Sequence, residues 1–337
     1  MMRLLATAVL TCWLSASPTV AGDRIVGLIT KTDDNPFFVT MKQAARRKAG
    51  KLGLELRTYA GRDDGDSKAQ VEALESLVAA GAKGILITPS DPAALADPVR
   101  RAREAGVVVI ALDTPFDPAD SVDATFATDN FRAGELIGMW ARARIGDAAG
   151  SARIATLDLS EAQVTVDVLR NQGFLKGFGI DIKDPGKMHD EDDARIVGSG
   201  ATLGTEAGGR AAMEALLRKQ PGINVVYVIN EPAAAGAHAA LRALGVENDV
   251  LIVSIDGGCA GVRHVAAGAT GATAMQYPLR MAYLGVEAVT EFYRTGRRPE
   301  KRPGPGFHDT GVTLVTDQPV PGVPSISTER GLKECWG

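Results

Sequence analysis

From Arg24 onward, short apolar runs alternate with longer amphipathic ones, and this rhythm constrains the fold more than any other feature. IVGLIT (25–30), LELRTYA (54–60), GILITPS (84–90), VVVIALD (107–113) and ATFATD (124–129) read as buried strands. Between them, Pro36–Leu52, Ser67–Ala80 and Pro92–Ala105 carry a helical period. Pro36 suits a first helical turn, Ser67 an N-cap, and Gly106 the position just past a helix end. Strands joined through helices pair in parallel. A parallel sheet must be covered on both faces, which is why its strands are apolar throughout.

The rhythm then restarts. RIATLDL (153–159), ARIVGSG (194–200), NVVYVIN (224–230), DVLIVSID (249–256) and GATAMQ (271–276) are strands. Val164–Phe178, Thr205–Lys219, Pro232–Leu244 and Gly261–Ala267 are helical. A chain of 337 residues has room for two domains. The order of elements repeats, so the expected fold is α/β with two doubly wound parallel-sheet lobes. A helix over Pro278–Arg294, the connection RRPEKRPGPG and a strand GVTLVT (311–316) are left over. They imply that the chain returns from one lobe to the other.

The first residues, MMRLLATAVLTCWLSASPTVAG, pair Arg3 with an apolar run over 4–14 and small residues up to Ala21. This is the layout of a signal peptide, residues 1–21, and it implies export; an N-terminal anchor helix is the competing reading. A net charge of -4 without a long basic run argues against nucleic acid as a partner. Outside the leader, Cys259 and Cys335 are either a disulfide, which export permits, or two free thiols. The four histidines are scattered and suggest no metal cluster. The acidic stretches HDEDD (189–193) and DDGDS (63–67) fit no calcium loop and read as solvated surface charge.

Ligands of open parallel sheets bind beyond the carboxyl ends of the strands. Polar groups gather there in both halves. The first strand delivers Lys31, Asn35, Phe37 and Phe38; the third Thr88, Ser90 and Asp91; the fourth Asp113 and Thr114; the fifth Asp129 and Asn130. In the second half the same edge carries Asp158, Ser160, Asn230, Glu231, Asp256 and Gln276. A buried amide or carboxylate without a partner costs about 1–3 kcal/mol or more. A polyhydroxylated ligand satisfies such a set, because each hydroxyl donates and accepts, while aromatic faces cover its C–H patches. Each residue has a plainer role available: Asp113 and Asp256 as turn caps, Asn230 as a helix N-cap, the phenylalanines as core. Those roles do not account for the gathering.

NPFF after the first strand, ALD ending the fourth, TDN, RNQGF, NEPAAAGA, SIDGG and ATAMQ resemble, in this order, the periplasmic sugar-binding proteins of ABC importers, ribose/fructose type. The resemblance spans nearly the whole chain after the leader. It implies a type I periplasmic binding protein fold in the periplasm, with a monosaccharide held between lobes joined by three hinge crossings. The lobes would be residues 23–128 plus 278–304 and 129–277 plus 305–337, with hinges near Ala127–Asn130, Gln276–Leu279 and Pro303–Thr310. It implies that Asn35, Phe37, Phe38 and Asp113 bind sugar from the first lobe, and Arg170, Asn230, Asp256 and Gln276 from the second. Lys31 and Thr114 join the expected ligand set as departures: a small hydroxyl residue and an arginine are usual there in ribose binders. The aromatic residue usual before the helix at 205 has no counterpart in GSGATLG. The ITKTxxNPFF style and the GLKECWG tail favour fructose. A sugar alcohol, or a ribose-like sugar with a sensory role toward a chemoreceptor or kinase, is the alternative. The resemblance further implies a membrane permease as partner, a monomer, and neither enzyme activity, cofactor nor metal. A glycosidase built on Asp113 and Asp256 is disfavoured, because a nearby arginine would keep both ionised. A transcriptional regulator on this fold lacks its DNA-binding module here.

Overall fold

In a computed structural model, which describes residues 25–300 and 306–337, the chain forms two six-stranded sheets, each flanked by helices. The leader lies outside the described residues, as do 301–305, which take in the start of the third expected hinge. Strands β1 (Ile25–Thr30), β2 (Glu55–Ala60), β3 (Gly84–Ile87), β4 (Val108–Leu112) and β5 (Ala124–Ala127) alternate with helices α1 (Pro36–Lys51), α2 (Ser67–Ala79) and α3 (Pro92–Glu104). After α4 (Asn130–Ile145) come β6 (Ile154–Asp158), α5 (Thr165–Phe178), β7 (Ile196–Ala201), α6 (Glu206–Lys219) and β8 (Val225–Val228). Then follow α7 (Glu231–Leu244), β9 (Leu251–Asp256), α8 (Cys259–Ala266), β10 (Ala272–Met275) and α9 (Pro278–Thr295). The chain closes with β11 (His308–Asp309), β12 (Thr313–Val315) and α10 (Thr328–Glu334).

The first sheet runs β2-β1-β3-β4-β5-β11 and the second β7-β6-β8-β9-β10-β12. The two orders are the same doubly wound sequence used twice. They differ at the last strand, where β11 lies parallel to β5 and β12 antiparallel to β10. Each sheet has apolar clusters on its faces: Leu28, Met41, Ile110 and Val286 lie in one cluster of the first lobe, Leu74, Ile85 and Val109 in another. Trp140, Phe174 and Tyr227, and separately Leu157, Met213 and Val226, do the same for the second. Among the described residues no helix is long and apolar enough to cross a membrane.

The chain passes between the sheets three times: from β5 into α4, from β10 into α9, and from β11 to β12. These passages lie side by side, since Thr128 Oγ1 donates to Gly311 O at 3.4 Å and Arg280 Nη1 donates to Thr310 O at 3.2 Å. His308 and Asp309 pair with β5. A lobe boundary after 304 therefore leaves a strand of the first sheet in the second lobe, and a boundary after Asp309 keeps both sheets whole.

Helix α4 is absent from the sequence reading, because Gly134 and Gly138 interrupt its helical pattern. The glycines serve its packing on α5. A Cβ on Gly134 would meet Arg170 O at 2.1 Å, and one on Gly173 would meet Phe131 O at 2.1 Å. The two helices touch backbone to backbone along this seam, and α5 carries Arg170. The tail contains α10 and ends tied to α8 by a Cys259–Cys335 disulfide with Cα atoms 5.0 Å apart. The choice left open for these cysteines is thereby closed in favour of a bridge.

Candidate functional site

A narrow cleft with about 30 Å³ of free volume lies between the carboxyl edges of the two sheets. Lys31, Asn35, Phe37, Phe38 and Asp113 line it from the first lobe, and Arg170, Asn230 and Asp256 from the second. Two of the expected residues stand behind it. Thr114 is fully buried and its Oγ1 donates to Asp113 Oδ2 at 2.9 Å. Gln276 is fully buried and its Nε2 donates to Asp256 Oδ1 at 3.0 Å.

The backbone aims these side chains. Asn35 caps α1, its Oδ1 accepting from Phe37 N at 2.9 Å, which fixes the turn that presents both rings. Phe37 and Phe38 pack edge to face, centroids 5.5 Å apart, and both belong to the first lobe's apolar cluster while bordering the cleft. The rings therefore belong to the core and also border the cleft. Asn230 likewise lines the cleft and serves a helix: its Oδ1 caps α7 through Ala233 N at 3.1 Å, and its Nδ2 donates to Gly204 O at 3.0 Å.

Asp113 and Asp256 occupy matching places, each at the end of the fourth strand of its sheet. Both adopt positive φ, 64° and 130°. L-residues enter this region at a cost of about 1–3 kcal/mol, and such strain collects at functional sites. Here it turns each carboxylate toward the cleft.

Arg170 joins the lobes. Its Nη2 lies 3.6 Å from Asp113 Oδ1 across the cleft and its Nη1 3.8 Å from Asp256 Oδ1. Nη1 also donates to Ile229 O at 3.1 Å, and Nε donates to Asn130 Oδ1 at 2.8 Å. Asn130 sits at the first crossing, and its Nδ2 donates to Thr128 O at 3.1 Å and to Asp113 O at 3.4 Å. The arginine is thus keyed to the hinge as well as to both carboxylates. Sequence inspection had Asn130 at this edge without giving it a role; only the packing of α4 on α5 reveals it.

The arginine does not keep Asp256 acidic. Burial pushes this carboxyl up to about 7, with Arg170 opposing and Asp113 adding to the rise. The expectation that an arginine alone holds both carboxylates ionised fails there, because desolvation is the larger effect. Glu231, behind Asp256, is also raised by burial and by Asp256, although it accepts from Gly257 N at 2.9 Å and Gly258 N at 3.1 Å.

Asp64 belongs to the cleft as well, which corrects its reading as solvated surface charge. Burial raises its carboxyl, Lys31 and Arg170 pull it down, and Asp113 raises it. Its Oδ2 lies where a Cβ on Gly204 of the second lobe would meet it at 2.8 Å; Gly204 has φ +65°, so glycine suits both the space and the backbone. The neighbouring Asp66 is the N-cap of α2, its Oδ1 accepting from Ala69 N at 3.2 Å. In the other acidic stretch, His189 Nε2 lies 3.1 Å from Asp158 Oδ2, and Glu191 accepts from Gln172 Nε2 at 2.6 Å. Among the described residues no cluster suited to a metal ion occurs.

Asp64 Oδ1, Asp113 Oδ1 and Gln276 Oε1 are buried and accept no hydrogen bond. All three are acceptors, so what would satisfy them is a donor. The arrangement can bind a small neutral molecule with several hydroxyls and an apolar face.

The periplasmic binding protein domain profile matches residues 26–295. The chain belongs to the periplasmic binding protein family. This periplasmic binding protein is 28% identical over 329 residues to a D-ribose/D-allose-binding protein of Pseudomonas aeruginosa, covering 93% of this chain and 97% of that one. It is 28% identical over 305 residues to the ribose import binding protein of Escherichia coli, covering 90% and 96%. Among solved structures it resembles a galactofuranose binding protein, with TM-score 0.75, 22% identity, and 92% and 97% of the two chains covered. A periplasmic component of an ABC-type sugar transport system from Hahella chejuensis gives TM-score 0.73 and 25% identity, with 86% and 99% covered. The solved relatives share its two-lobed fold, and the curated ones are binding proteins, not enzymes.

Proposed function

We propose that this protein captures a monosaccharide between its two lobes in the periplasm and hands it to the membrane permease of an ABC importer. The observation that carries the reading is the pairing of the cleft walls. The first lobe supplies two rings and unpartnered carboxylate oxygens, and the second supplies an arginine already braced by Asn130, Ile229 and Asp256. A sugar held between them, with the cleft opened beyond its present width, sets its C–H face against Phe37 and Phe38. Its hydroxyls donate to Asp64, Asp113 and Asp256 and accept from Arg170, Asn230 and Lys31. The names of the relatives, which include ribose, allose and D-apiose binders, support a monosaccharide.

Binding and closure are one equilibrium. The closed lobes touch directly where Thr165 Oγ1 donates to Pro115 O at 2.7 Å and where Arg170 meets Asp113. A ligand that bridges both walls favours that state by its extra contacts. The protein works as a monomer, and its hinges are the three adjacent crossings.

D-Fructose is the finer proposal for the sugar. The resemblance of TKTDDNPFFVT and of the GLKECWG tail to fructose binders supports it. So does Thr114, which bonds to Asp113 and does not reach the cleft, so the ligand contact that an arginine provides in ribose binders has no equivalent here. Thermal-shift screening against D-fructose, D-ribose, D-allose, D-galactose and myo-inositol tests the reading, since a ligand bound only by the native state raises the melting temperature. Small-angle scattering then follows closure. A monosaccharide that raises Tm and lowers the radius of gyration is the expected outcome. No Tm shift with any of the five overturns the sugar reading, and a shift with D-allose or D-ribose alone overturns fructose.

A further inference from the structure

The C-terminal tail plays no part in the sugar contacts described above, yet it reaches the aromatic half of the cleft. It is fastened to the second lobe by the Cys335–Cys259 bond and by a parallel bridge of Trp336 with Gly258, in which Cys259 N donates to Trp336 O at 2.8 Å. The Trp336 indole N–H donates to Gln276 O at 2.8 Å, and Gln276 is the residue whose side chain holds Asp256. The ring itself lies in the first lobe's apolar cluster, 6% exposed, edge to face with Phe37 at 5.4 Å and 78°. Phe37 in turn stands edge to face with Phe38. One side chain therefore spans the lobes and touches both the phenylalanine that borders the cleft and the residue that supports Asp256.

We propose that Trp336 is a positioning residue for the ligand site. Locked to the second lobe by the disulfide and the bridge, it sets the orientation of Phe37 on the first lobe relative to Asp256, so ligand affinity depends on the Cys259–Cys335 bond. Edge-to-face pairs have this directional character, because the ring edge is positive and the face negative. The dependence on affinity rests on the monosaccharide reading of the cleft; the positioning of Phe37 does not.

The test has two arms on the full chain. Without ligand, hydrogen exchange at residues 36–41 is compared in the wild type, Trp336→Ala, Trp336→Phe and the dithiothreitol-reduced protein. Faster exchange there in Trp336→Ala and in the reduced protein, with recovery in Trp336→Phe, is expected; unchanged exchange overturns the proposal whether or not a sugar binds. With the tightest-binding of D-fructose, D-ribose and D-allose, Trp336→Ala weakens affinity about tenfold, as the loss of an aromatic pair implies, and Trp336→Phe much less. Reduction weakens the wild type but adds nothing in Trp336→Ala. An affinity that ignores Trp336→Ala, or a reduction effect that survives it, overturns the proposal. If no sugar binds even the wild type, the sugar reading fails and the exchange arm alone decides on Trp336.

Discussion

The two walls of the cleft are built on the same strand order and prepared differently. On the second lobe nearly every polar group is already engaged: Arg170 with Asn130 and Ile229, Asn230 with Ala233 and Gly204, Asp256 with Gln276. On the first lobe Asp64 and Asp113 each keep an oxygen without a hydrogen-bond partner, beside two rings. One wall is a largely closed network, with Gln276 Oε1 still open, and the other presents carboxylate acceptors and an apolar surface. The difference teaches that a repeated fold need not give a repeated site. On the proposed reading the second wall would fix where the ligand sits, and the first wall would complete its contacts as the lobes close.

If this is right, damage to the networked wall has the larger effect. Arg170→Met leaves Asp113 and Asp256 facing each other without their cation. Breaking one partner of a buried ion pair costs about 3–5 kcal/mol, so both denaturant stability and sugar affinity fall steeply. Calorimetric affinity within threefold of the wild type would break the comparison. Next comes Gly173→Ala, which drives a methyl into Phe131 O and forces α5 away from α4. A loss of about 1–3 kcal/mol, typical of overpacking, is expected in urea unfolding, with weaker sugar binding as Arg170 shifts.

Proton linkage sharpens the comparison further. A sugar hydroxyl donating to Asp256 favours its ionised form, whereas the ligand-free carboxyl is raised to about 7. Affinity should therefore rise with pH, up to about tenfold per unit below 7, and level off above. Asp256→Asn should flatten this profile. Ligand-free stability should move the other way. Asp256 and Asp167, both raised to about 7 from 3.8, stay protonated in the native state while the unfolded chain ionises, so stability falls as pH rises between those values. Chemical denaturation at pH 4.5 and 7.5 checks the direction. The smallest effect belongs to the waiting wall: Asp64→Asn keeps an acceptor and should cost about threefold to tenfold in affinity, the range of one neutral hydrogen bond. A larger loss than that from Arg170→Met would reverse the ranking of the walls.

Much of the fold is legible in the residues because it depends on local patterns. Apolar runs such as IVGLIT and VVVIALD, separated by capped helices, permit little besides parallel sheets. Positions at strand ends follow directly, which is why Asn35, Asp113, Asn230 and Asp256 were visible as a set. What was hidden depends on packing between distant segments. Helix α4 was missed because its glycines weaken a helical pattern and find their reason only against α5. Asp64 looked like one charge in a polar loop until the second lobe's Gly204 was placed beside it. Gln276 and Thr114 stand at the right strand ends, yet one further rotation of backbone puts them behind the carboxylates they hold. The elevated proton affinity of Asp256 could not be read either, because it reflects how completely water is removed.

The glycine seam between α4 and α5 has a consequence for how such a site can change. At Gly134 and Gly173 the helices meet through main-chain atoms, so the backbone of Arg170 is set close against α4 while Asn130 holds its guanidinium. The arginine behaves as a fixed datum, against which the surrounding residues are free to vary. New ligand preferences can then arise by altering the opposite rim, as Lys31 and Asp64 suggest, while the reference point stays put. A single added methyl along the seam would move the datum itself, and every specificity tuned to it would have to be rebuilt.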